Sequence, residues 1–181
     1  ARPEDPYIFA LLSRALSRSG MHDQAIAAAM KCHLSPLGET ALGDALRAKG
    51  IAIEAAEVYK KAVSRSPGLI EARLGLAGAY LDMADAGAAY REARRALSAS
   101  PKDPDALYWT ARALEASGNS REASRLYRTA LAERPIGDMS FSVPYEELVR
   151  AVSASPVGGS FGARPKDAAG AGSTGSRLPG P

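Results

Sequence analysis

Small and apolar residues recur along this chain every 34 positions. Gly50, Ala84 and Gly118 stand in register, as do Ala55, Ala89 and Ala123, and again Ala62, Ala96 and Ala130. Each block closes on a proline, at Pro67, Pro101 and Pro135. A fixed period of about 20–50 residues marks a solenoid of stacked supersecondary units. Here the unit is a pair of antiparallel helices. The small residue at 50, 84 or 118 turns the chain, the alanines let two helices approach closely, and the proline ends the second helix. The pattern predicts helices over 6–18, 22–34, 37–48, 52–65, 70–82, 86–98, 104–116 and 120–132. A last helix near 143–153 follows from the apolar face Phe141, Tyr145, Leu148, Val149 and Val152, with Pro144, Glu146 and Glu147 suited to its first turn. No strand is expected, because β-branched runs are absent and alanine and leucine dominate.

The 34-residue register resembles the tetratricopeptide repeat family, whose unit is a helix–turn–helix of that length. The repeat from Pro104 supplies Leu107, Ala111, Leu114, Gly118, Ala123, Tyr127, Ala130 and Pro135 at the family's positions. The repeat from Ile70 supplies Leu76, Ala77, Tyr80, Ala89, Ala96 and Pro101, with Ala93 in place of an aromatic residue. The repeat ending at Pro67 supplies Leu42, Gly43, Leu46, Gly50, Ala55, Tyr59 and Ala62. An earlier unit shows Phe9, Leu12, Ser13, Leu16, Gly20 and Ala25, with Cys32 at the second alanine position. Its step from Gly20 to Gly50 is 30 residues, four short of the period. The resemblance implies an all-α, right-handed superhelical solenoid of about four repeats plus a capping helix. The repeats would span 6–36, 37–69, 70–103 and 104–137, within an array over 6–135, with the capping segment at 138–154.

The two ends read differently. Arg2-Pro3-Glu4-Asp5-Pro6 is similar to the junction Ser100-Pro101-Lys102-Asp103-Pro104, so residues 1–5 are expected to close a preceding repeat; a natural Pro- and acid-rich terminus is the alternative. The first helix, near Phe9 and Leu12, would then expose an apolar face and allow self-association. From 155 to 181 the chain is Gly, Ala, Ser and Pro-rich with Phe161 its one aromatic, the composition of a flexible tail or linker, with a recognition motif around Phe161 the alternative.

Charge and chemistry narrow the function classes. The net charge is +3, and one cysteine forbids an internal disulfide framework. No stretch approaches the ~20 apolar residues of a membrane span, so membrane insertion is not expected. A soluble cytoplasmic or periplasmic setting follows, with a lean to the cell envelope, and the Ala/Arg-rich composition suits a GC-rich bacterial source. Cys32 and His33 are adjacent with no third ligand at useful spacing, which favours a buried structural thiol over a metal or nucleophile pair. Glycine-rich stretches at 75–78 and 170–175 follow no strand, so no phosphate cradle is expected. Neither cofactor nor metal is called for, and nothing argues for an enzyme. Arg91, Arg94, Arg95, Arg121, Arg125 and Arg128 recur on second helices, but Glu92 and Glu122 interleave them and no aromatics alternate for base stacking. A solvated outer face is expected there, rather than nucleic-acid binding.

In the resembling family, the inner face of the first helices binds peptides or partner helices. The corresponding positions here include Asp44 and Arg47, then Glu71, Leu74, Leu81 and Asp82, then Tyr108, Arg112 and Glu115. Leu74, Leu81 and Tyr108 are expected to form an apolar strip edged by both signs of charge, unless neighbouring helices bury them. Leu74, Gly78 and Trp109 stand where family members that clamp acidic chaperone tails carry polar residues, which argues against that ligand. The expected function is a non-catalytic scaffold or adaptor for a protein or peptide, within an assembly, secretion or polymer-export apparatus. The alternative is a regulatory repeat segment of a larger enzyme.

Overall fold

The computed structural model describes residues 5–134, 143 and 145–154. The expected preceding-repeat remnant at 1–4, Phe141 and Pro144 of the capping segment, and the tail at 155–181 lie outside the described residues. Four helix pairs follow one another: α1 (Pro6–Arg18) with α2 (His22–Met30), α3 (Pro36–Ala48) with α4 (Ala52–Arg65), α5 (Ile70–Asp82) with α6 (Ala86–Ala99), and α7 (Pro104–Ala116) with α8 (Ser120–Glu133). A ninth, α9 (Tyr145–Ala154), follows. There is no strand among the described residues.

Local chemistry sets the boundaries. Asp5, Ser35, Asp85 and Asp103 accept hydrogen bonds from backbone N–H groups of the first turns of α1, α3, α6 and α7. Proline occupies an early helical position in α1, α3 and α7, where its missing N–H costs nothing. Each pair turns through the same closing motif, in which the N–H after the turn residue bonds back to a carbonyl five residues earlier: Met21 to Leu16, Ile51 to Leu46, Asp85 to Tyr80 and Asn119 to Leu114. The turn needs a left-handed residue, and Gly20, Gly50 and Gly118 supply it at φ 77°, 87° and 84°. Ala84 does the same at φ 60° despite its Cβ.

One boundary departs from expectation. Helix α2 stops at Met30 rather than near residue 34. The four residues missing from this repeat come out of its second helix, and 31–34 form turns instead. That turn lies directly on α3: a Cβ at Gly38 would fall 1.8 Å from the Cys32 carbonyl oxygen. Cys32 is buried, its thiol donates to the Ala29 carbonyl at 3.3 Å, and burial pushes its pKa up.

Close approach builds the core. Ala62, Ala96, Ala111 and Ala130 have no exposed surface, as expected of helix crossings, and Tyr59 and Tyr127 are buried beside them. Tyr80 is half-buried against Ala55 and Ala56. The Tyr59 ring fits between two glycines: a Cβ at Gly43 or Gly75 would come within 2.7 or 2.3 Å of it. One repeat on, the volumes exchange, since Ala93 replaces the tyrosine and Trp109 stands in the register position of Gly75. The first helices pack on one another in succession, α1 on α3, α3 on α5 and α5 on α7, while the second helices pack mainly on first helices. The first helices therefore line the tighter, concave side.

Candidate functional site

The concave face is organised by arginines that reach forward to an acid on the next first-helix layer. Arg14 of α1 faces Asp44 of α3 at 3.6 Å, Arg47 of α3 bonds Asp82 of α5 at 2.9 Å, and Arg112 of α7 faces Glu147 of α9 at 3.4 Å. Tyrosines anchor the acids from below. The Tyr59 hydroxyl donates to Asp44 at 2.6 Å and that of Tyr127 to Glu115 at 2.8 Å, while Tyr108 donates to Glu147. Burial raises the Asp44 carboxyl above the usual carboxylate range, against the pull of Tyr59 and Arg14. Burial, then the bond to Glu147, pushes the Tyr108 phenol up to about 12.

The series of forward pairs is interrupted between α5 and α7. Position 78, in register with Arg14, Asp44 and Arg112, is glycine. Arg47 crosses this gap and lays its guanidinium 5.0 Å from the ring centroid of Trp109, two repeats away. A Cβ at Gly78 would meet Arg47 Nη1 at 2.7 Å and Trp109 Cη2 at 3.1 Å, so a side chain there would push the guanidinium out of this position. Arg112 approaches the other flank at 6.0 Å, and Tyr108 meets the indole edge-on at 5.4 Å. The result is a partly buried indole in an otherwise charged groove, with partly buried Leu81 on the neighbouring first helix.

The expected apolar strip is corrected by this geometry. Leu74 is 4% exposed and packs with Ala96 and Ala106; Tyr108 is 1% exposed and lies in the core beside Leu148 of α9. Neither offers a surface, because α6 and α7 cover Leu74 and α8 and α9 cover Tyr108. Leu81 alone of the three is partly accessible. Asp44, Arg47, Asp82 and Arg112 are joined through the pairs above. Glu71 stands exposed at the other end, beside a hollow of about 60 Å³ also lined by Arg14 and Thr40, and Glu115 is held by Tyr127. The reading from sequence missed Glu147 as a member of the groove, and gave Gly78 and Trp109 no role there beyond the absence of a polar clamp. Trp109, the chain's one tryptophan, could have been found from its register with Gly75 on the first helices. No group of three His, Cys, Asp or Glu among the described residues is placed to hold a metal.

A solenoid of paired helices with 34-residue register, glycine turns and a groove lined by first helices defines the tetratricopeptide class. Residues 81–135 match the tetratricopeptide repeat family model, and the same 34-residue register runs back through α3 and α4. A solved tetratricopeptide protein of Thermus thermophilus, TTC0263, shares the fold with a TM-score of 0.70 at 21% identity, over 84% of this chain and 82% of that one. YrrB, described as a tetratricopeptide protein with an unusual peptide-binding site, superposes with a TM-score of 0.58 at 15% identity, over 75% of this chain and 72% of that one. In sequence, the chain is 34% identical over 96 residues to cellulose synthase operon protein C of Pseudomonas fluorescens (strain SBW25). That stretch is 53% of this chain and 8% of the relative.

Proposed function

We propose that this chain is a non-catalytic scaffold that holds a protein or peptide segment in its concave groove, as part of an assembly or polymer-export apparatus. The observation that carries the reading is the break in the charge series at Gly78. There a partly accessible indole stands between two guanidiniums, and planar arginines beside an aromatic ring suit a segment that combines an apolar side chain with polar backbone or carboxylate groups. The peptide-binding description of YrrB and the similarity to a cellulose synthase operon protein support the class of partner and the setting. Arg47 and Asp82 flank one side of the indole and Arg112 and Glu147 the other, which fixes the direction of a bound segment through charge-assisted hydrogen bonds.

A photo-crosslinking amino acid placed singly at positions 81, 109, 94 and 125 of the full-length protein, in its own host, tests the reading. Positions 81 and 109 are expected to yield an adduct with a second polypeptide, and 94 and 125 none. Polypeptide adducts from 94 and 125 alone would move the partner to the convex side.

A further inference from the structure

Over the last three repeats the first and second helices carry opposite net charge. Helices α3, α5 and α7 hold three arginines against six acids, while α4, α6 and α8 hold nine lysines and arginines against five acids. The excess on the second helices is laid out in columns by the repeat: Lys60, Arg94 and Arg128 share one register position, Lys61 and Arg95 a second, and Arg91 and Arg125 a third. The acids among them are partly spent. Glu92 is held by Arg73 at 2.9 Å and Arg95 at 2.5 Å, and Glu57 by Lys60 at 2.8 Å. Arg91, Arg121 and Arg125 are exposed, and their guanidiniums make no ion pair or hydrogen bond with another described residue.

The same side also exposes large apolar residues. Ile53 of α4 is 66% exposed and stands in register with Gly87 and Arg121; Met30 of α2 is 49% exposed and stands in register with Lys60. Leu34, in the turn after α2, is 76% exposed. Isolated apolar side chains among cations are what an anionic lipid surface takes: the cations gain from the leaflet's negative potential, and the apolar groups enter the headgroup boundary. Nucleic acid fits less well, because the half-buried Tyr90 is the aromatic residue of these helices' outer side and Arg94 already covers it at 5.7 Å. No helix among the described residues is long and apolar enough to cross a membrane, so the contact is peripheral.

We infer that the convex face, through Lys61, Arg91, Arg94 and Arg125 with Ile53 and Leu34, docks peripherally on an anionic lipid surface. The acid-rich helices α3, α5 and α7 are repelled by the same surface, so docking would turn their side of the groove away from the lipid and leave it open to a partner. This goes beyond the groove reading and stands or falls separately from it.

Co-sedimentation of the full chain with vesicles of phosphatidylglycerol and phosphatidylcholine, against phosphatidylcholine alone and across a salt series, tests it. Binding to the anionic vesicles is expected, weakening steeply with salt. Each cation near such a leaflet is worth about fivefold in affinity, so the double variant R91E/R125E should lose tenfold or more. I53D/L34D should lose vesicle binding while leaving helix content by circular dichroism unchanged. No binding to anionic vesicles, or binding that survives both double variants, overturns the inference. Binding abolished by R91E/R125E, untouched by I53D/L34D and matched by a DNA duplex reassigns the face to nucleic acid and equally overturns it.

Discussion

Leu12 and Leu76 occupy the same position of the repeat, yet Leu12 is 46% exposed and Leu76 4%. The contrast extends along their helices. Ala45, Ala79 and Ala113 have no exposed surface, whereas Ala15 at the same register is exposed, and Leu11 and Tyr7 beside it are 46% and 56% exposed. The sequences of α1 and α5 are equally suited to an interface. What differs is the neighbour: α4 lies over the outer face of α5, and no described element lies over that of α1. At the other end α9 supplies the missing neighbour, burying Leu148 against α7 and α8. In a repeat array, a residue's energetic weight is a property of the interface it enters, not of its place in the unit.

The sharpest way to break this comparison is to truncate the two leucines. Leu76→Ala leaves a cavity between α4 and α5 and should cost about 2–5 kcal/mol. Leu12→Ala removes a side chain already half in water and should cost less than about 1 kcal/mol. Urea unfolding followed by both circular dichroism and Trp109 fluorescence measures the pair. Equal losses would mean that some contact covers α1 in solution and that the exposure read for Leu12 is wrong.

The same logic explains what could be read from sequence and what could not. Seven of the eight array helices could be bounded to within about a residue, because Pro36, Pro104 and the glycine turns act locally and each repeat states them again. Helix α2 could not, since nothing local says which of its two helices a repeat four residues short will shorten; Cys32 and Gly38 decide that by contact. The groove was harder still. Helical spacing puts Leu74, Leu81 and Tyr108 on one side, but the depth to which that side sinks depends on how closely the next helix approaches. Gly75 and Gly78 set that distance, and they announce only the absence of a side chain. Glu147 reaches Tyr108 and Arg112 from 39 and 35 residues away, a pairing without any periodic signal.

A smaller effect separates the covered end from the open one by pH. Tyr108, sealed under α9, keeps its proton to about 12, and burial likewise raises Tyr59 and Tyr127. Unfolded tyrosines ionise near pH ~10. Between these values the native chain binds more protons than the unfolded one, so stability falls as pH rises through that interval. Wild-type melting temperature should therefore drop between pH 10 and 12, and Tyr108→Phe, which removes one of the three raised phenols, should show a shallower drop. Thermal melts by circular dichroism across that range decide it, and equal slopes for wild type and Tyr108→Phe would mean that α9 does not seal Tyr108.

The smallest expected change is at the turns, where one repeat again differs from its fellows. Gly20, Gly50 and Gly118 take the left-handed conformation without steric cost, while Ala84 holds φ 60° with a Cβ in the way. That conformation costs an L-residue roughly 1–2 kcal/mol, and glycine's greater freedom in the unfolded chain returns about 0.4–1 kcal/mol of it. Ala84→Gly should thus stabilise the chain by up to about 1 kcal/mol, without touching the core, since Ala84 is exposed. The gain should appear as a higher urea midpoint with an unchanged m-value. A variant that unfolds earlier than wild type would show that the turn after α5 gains more from a stiffened unfolded chain than it loses to strain, and that the other three turns owe their glycines to something other than backbone conformation.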